Sequence, residues 1–182
     1  MANRNTQGFG LIAQGTVGST MASQGQGKYL IDAGMGVDLF QGTAVKSSAG
    51  YIVTAQAAIT NTCIGVLNGI FYNDATTKKP TFANFYNQPI TPANSEDITA
   101  FVIDNPNQLF VASIDAAAAQ AEYVKTYGLT VTAAGSEISG QSSSELTCAT
   151  RHATNNQWRL VSTAEEPENN DTAAANCSVV VA

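Results

Sequence analysis

The sequence predicts a mainly β fold: a compact β-barrel or sandwich of short strands with one short helix and an extended N-terminal arm. Three observations lead there. Apolar and β-branched runs are brief and are cut by Gly, Pro, Asn and Ser. A single stretch, Ala116 to Val124 (AAAAQAEYV), reads as helix, with Asp115 placed to cap it. The first 27 residues carry scattered apolar side chains with no sustained period.

Residues 1–27 are interrupted by Gly8, Gly10, Gly15, Gly18, Gly25 and Gly27, which weaken helix and strand alike. They are expected as an arm that folds on a neighbour, leaving 28–182 as a single β-rich domain. Tyr29 to Ile31 is the first strand; Thr43 to Lys46 and Tyr51 to Thr54 follow around the turn residues Ser47, Ser48 and Gly50. Cys63 to Tyr72 (CIGVLNGIFY) is the longest apolar run, and Gly65 and Gly69 within it point to a bulge or a close backbone approach. Asn73 to Asn94 holds Pro80, Pro89 and Pro92 with Phe82, Phe85 and Tyr86, and reads as a long aromatic-anchored loop. Ile98 to Asp104 and Gln108 to Ser113 flank Asn105-Pro106-Asn107, a hairpin pattern. Short strands beginning at Gly128, Ser144, Trp158 and Ser178 complete the chain, with an acidic loop from Glu165 to Asp171 before the last. A helix of about two turns is marginal alone, so Ala116 to Val124 is expected to plug or cover the sheet.

Charge narrows the function. Only 12% of the 182 residues are charged, whereas Ser, Thr, Asn and Gln number 59. A surface solvated by neutral groups suits a chain that faces other subunits, because a charge buried at an interface is costly unless paired. Residues 1–89 have five Lys/Arg against three Asp/Glu; residues 90–182 have three against eleven. Lys78-Lys79 is the one basic pair, which argues against nucleic acid as a partner. No apolar run approaches the ~20 residues that span a bilayer, so no membrane partner is expected. Arg4 is not followed by a continuous apolar stretch, so the start does not read as a secretory signal.

The residues that usually carry catalysis are sparse. His152 is the single histidine and reads as a surface residue; the G-x-S-x-G elbow is absent. Glu96-Asp97 and Glu165-Glu166 read as solvated acids in polar loops. Cys63, Cys148 and Cys177 lack the paired spacing of a zinc site. They read as small buried hydrophobes in a reducing compartment, the alternative being one disulfide with a thiol left over. The three G-x-G segments complete no phosphate-binding loop. No catalytic residue, cofactor or metal is therefore expected, and the chain reads as a non-enzyme. Phe71-Tyr72 and Phe82, Phe85 and Tyr86 offer the material for a sugar-stacking platform, with core and loop packing as the competing use.

Several segments together resemble known proteins: Asn3 to Leu11 (NRNTQGFGL), Gly27 to Gly34 (GKYLIDAG), Phe40 to Lys46 (FQGTAVK), Gly65 to Tyr72 (GVLNGIFY), Asp104 to Phe110 (DNPNQLF) and Gly135 to Leu146. They resemble virion structural proteins of tailed bacteriophages, in particular the small head-decoration (cement) proteins of marine and freshwater phages. The ending EEPENNDTAAANCSVVVA departs from that pattern, which has more aliphatic and basic residues there. The resemblance implies a protein made in the host bacterial cytoplasm that decorates the capsid exterior and stabilises it by binding the lattice of the major capsid protein. It implies sister subunits in a homo-oligomer, a trimer by family habit. A minor tail or neck protein and a carbohydrate-binding β module are the alternatives. The expected interface residues are Phe9, Leu11, Ile12 and Tyr29 from the arm and its neighbour, with Phe82, Phe85 and Tyr86 from the aromatic loop. The acidic second half would then face solvent and keep particles apart.

Overall fold

The computed structural model describes residues 2–18, 25–55, 62–130, 134–152 and 156–182, with His152 described in its backbone alone. Strands account for 46% and helical turns for 4%, so the fold is mainly β. The described strands run β1 (Ile12–Thr16), β2 (Gly27–Ile31), β3 (Ala44–Ser48), β4 (Tyr51–Thr54), β5 (Gly65–Asn73) and β6 (Pro80–Ala83). They continue with β7 (Ile98–Ile103), β8 (Gln108–Ile114), β9 (Thr126–Leu129), β10 (Leu146–His152), β11 (Trp158–Thr163) and β12 (Cys177–Val181).

Five of them close a barrel in the order β8-β10-β9-β11-β12 and back to β8. The β8–β10 junction is parallel, through Ile114 and Leu146. That pairing occupies only the end of β8, and β1 takes the rest of the same edge, Ile12 opposite Val111 and Thr16 opposite Gln108. Inside, Phe110 meets Trp158 edge-on with ring centroids 5.5 Å apart, above Ile114, Tyr127, Leu146 and Leu160. Each aliphatic side chain so enclosed stabilises the fold by about 1.5–3 kcal/mol relative to exposure. Every residue of β12 is buried. Its outer face is roofed by the N-terminal segment, Asn5 Nδ2 donating to Ser178 Oγ at 3.1 Å, and by Glu166, whose Oε2 accepts from the same hydroxyl at 2.8 Å.

The second sheet is built from one contiguous stretch, in the order β2-β7-β5-β3-β4, with β6 on the far part of the β5 edge that β3 occupies at Gly65 and Val66. It curls so that β2 lies alongside β4. Burial alternates strictly along β7, placing Ile98, Ala100 and Val102 in a second core with Ile31, Leu67 and Ile70. The opposite side contributes Ala44, Ala55 and Val66 to the barrel core, so the two sheets share packing. β3 and β4 form a hairpin through Ala49 and Gly50, whose φ values of 50° and 89° give the turn that matches strand twist. The bulge expected in β5 is present, between Leu67 and Gly69.

Three expectations need correcting. Ala116 to Val124 is not an α-helix: one 3-10 turn spans Gln120–Glu122. The carboxylate of Asp115 does not cap a helix but accepts hydrogen bonds from Thr147 Oγ1 at 2.7 Å and Cys148 N at 2.9 Å. With Ala118 sunk into the barrel core, tertiary contacts override alanine's preference. Next, β7 and β8 are not paired with each other. The turn chemistry is as expected, Gln108 N donating to Asn105 O at 3.0 Å, but the strands enter different sheets because their apolar faces belong to different cores. Finally, much of the segment expected as an extended arm packs on its own chain, with contacts from Asn3 to Val17. Arg4 N and Asn5 N donate to Asn169 Oδ1, Gly10 N donates to Ser144 O, and Leu11 is only 3% exposed within the barrel core.

Candidate functional site

Side chains alternate across a strand, so one face of the second sheet looks outward. A cross-strand row on that face runs Leu30 (β2), Thr99 (β7), Phe71 (β5) and Phe82 (β6). The adjoining row sets Phe101 opposite Gly69. Because Gly69 has no side chain, the ring of Phe82 lies near that of Phe101, 6.4 Å between centroids and 19° from coplanar. Phe71 and Phe82 are 4.7 Å apart. Phe82 is 73% exposed and Leu30 43%, while Phe71 and Phe101 are half-buried. The result is an aromatic platform in water with Lys28, opposite Phe101, at one corner.

The expected interface residues are divided by this arrangement. Phe82 is at the centre of the platform. Phe85 is turned away and stacks on Phe40 at 5.5 Å, and Tyr86 is fully buried, its hydroxyl donating to Met35 O at 2.8 Å. Burial first, and the carboxylates of Asp32 and Asp38 second, raise the Tyr86 phenol above its usual range. Tyr29 packs against the second core and donates to Asp104 Oδ2 at 2.9 Å, a hydrogen bond that raises its phenol. Leu11 is in the barrel core, whereas its neighbour Ile12 is 47% exposed and Phe9 half-buried. Leu11 and Tyr86 are thus occupied by their own chain. The sequence reading missed Phe101 and Leu30; the signal was available, since both fall at the outward positions of alternating strands.

No protein-family model, curated protein or solved structure matches the chain.

One ionic cluster sits apart from the platform. Glu122, nearly buried, accepts from Tyr127 Oη at 2.8 Å, Lys125 Nζ at 3.3 Å and Arg151 Nη1 at 3.1 Å. Burial acts to raise the Glu122 carboxyl, but Tyr127, Lys125 and Arg151 outweigh it and hold it below the ordinary carboxylate range. Tyr127 is raised in turn, by burial and by this carboxylate. The backbone of His152 pairs with Thr126; its side chain lies outside the described residues. The Cys63 and Cys148 thiols are free, and burial pushes each up to about 11. No group of three His, Cys, Asp or Glu placed to hold a metal ion occurs among the described residues, and no described helix is long and apolar enough to cross a membrane.

Proposed function

We propose that the chain is a non-catalytic virion structural protein that decorates and stabilises the capsid of a tailed phage by binding the lattice of its major capsid protein. The observation that carries the reading is the Phe71–Phe82–Phe101 platform, a contiguous aromatic surface left in water on the outer face of a sheet. Exposed apolar patches of this kind mark interaction sites. The partner class comes from the resemblance of Asn3 to Leu146 to head-decoration proteins. The neutral surface agrees with it: attachment through rings and carboxamides adheres without the promiscuity of a strongly charged face.

In this reading the grip is the sheet face, with Phe82 as anchor, and not a free arm. Two measurements test it. Mass spectrometry of purified particles of the encoding phage should find the chain in high copy, of the order of the capsid subunits; absence from mature particles refutes the proposal, and a low copy number assigns it to the tail or neck. The variant Phe82→Ser should fold normally and fail to co-sediment with capsid shells. Full retention of binding moves the grip elsewhere.

A further inference from the structure

A cleft of about 360 Å3 opens between β1 and the second sheet, at the Val66 end of β5, whereas the aromatic platform lies toward its Phe71 end. Gly42, in its lining, donates to Leu67 O at 2.8 Å and accepts from Leu11 N at 2.9 Å, linking the N-terminal segment to β5. Its polar lining consists of the carboxamides of Gln26, Gln41, Asn68, Gln108 and Gln141, and Phe9, Leu11 and Val66 supply apolar wall. No ionisable side chain lines it among the described residues.

The carboxamides are held in place. Gln108 donates to Gly15 O at 2.7 Å and to Leu109 O at 3.1 Å; Gln41 donates to Asn68 Oδ1 at 3.0 Å; Gln141 donates to Phe9 O at 3.2 Å. Those bonds leave the Asn68 amide hydrogens and the Gln41 carbonyl without a protein partner among the described residues. A wall that both donates and accepts without charge selects against phosphates and carboxylates. It complements hydroxyl groups, which likewise do both, and the phenyl and aliphatic wall suits the C–H face of a sugar ring. The volume is at the small end of ligand pockets. A peptide strand is disfavoured, because the Leu11 N–H, both backbone groups of Gly42 and the Leu67 carbonyl in the lining are already paired with each other.

We propose that this cleft binds a short neutral saccharide, with Asn68, Gln41 and Gln141 fixing hydroxyls over a wall formed by Phe9, Leu11 and Val66. The proposal is independent of the capsid reading, which is tested on particles. The experiment is a heteronuclear NMR titration of the full chain, following side-chain amide signals. The probes are maltotriose, cellotriose, laminaritriose, xylotriose and chitotriose, with N-acetyl-trialanine amide as the peptide control. At least one trisaccharide should shift the Asn68 and Gln41 amides. Asn68→Asp keeps the acceptor for Gln41 and removes the donors, and should weaken that binding about tenfold. Gln141→Ala, at the exposed rim, should weaken it too, which keeps the test decisive if the first variant is unstable. Silence from every sugar, shifts confined to the aromatic platform, binding unchanged in both variants, or a response to the peptide alone each overturns the proposal.

Discussion

Replacing Leu11 by Ala separates an arm from an integral strand. Leu11 is 3% exposed and belongs to the barrel core, so the substitution removes three carbons from packed surroundings. Leu→Ala in a core costs about 3–5 kcal/mol, depending on how well the site relaxes. Leu11 also borders the open cleft, so part of the vacated space can fill with water, and the lower figure of about 3 kcal/mol applies. For a chain of this size, at about 3 °C per kcal/mol, the melting temperature should fall by about 9 °C. Ile12, the next residue along, points outward and is 47% exposed; Ile12→Ala should cost less than about 1 kcal/mol. Urea denaturation of both variants, checked by thermal melting, gives the comparison. Equal costs, or a Leu11→Ala cost under about 1 kcal/mol, would show that the N-terminal segment is not part of the barrel.

Further outcomes follow from the same geometry. A Cβ at Gly8 would lie 2.4 Å from Ser143 O and 2.7 Å from Ser144 O, both backbone, so Gly8→Ala should cost about 2 kcal/mol and accelerate hydrogen exchange at Gly10 N, which donates to Ser144 O. Because the Glu122 carboxyl is held low in the folded state, the protein binds fewer protons there than when unfolded. Its contribution is therefore complete above the unfolded value of about 4.3 and is lost as pH falls through the folded value. Glu122→Gln should cost about 2 kcal/mol at neutral pH, and urea titrations at stepped pH should show that difference shrinking below about pH 4.3. With the Cys63 and Cys148 thiols near 11, about a thousandth of each is thiolate at pH 8, so iodoacetamide should label them at least ~100-fold more slowly in the folded chain than in urea.

What the sequence disclosed was local. Turn residues and the glycines of β5 act within a few residues: Gly50 closes the β3–β4 turn with Ala49, although Ser47 and Ser48, expected in the turn, extend β3, and the bulge lies beside Gly69. What it concealed was partnership. Asn105-Pro106-Asn107 makes the expected turn, yet nothing in the flanks says that Ile98 and Phe110 belong to different cores. β6 was hidden in a proline-rich loop because Pro80 can begin an edge strand without a ladder N–H, and β1 was hidden because Gly15 sits at its bulge. The alanines at 116–119 were misleading for the same reason: the barrel takes Ala118, and Asp115 is committed to β10. At the site, Phe82 was legible as an aromatic in a polar stretch. Phe101 was legible as an outward position of an alternating strand, but its place in the platform depends on the register that sets it opposite Gly69.

The second sheet begins and ends side by side, Gly27 paired with Val102, between two strands that are themselves partners, Ile12 opposite Val111. Bringing β1 to β8 across an unstructured intervening chain would carry the closure entropy of a very long loop. Once β2 zips onto β7, the ends of that excursion are already held together, and the inner module works as a splint for the outer one.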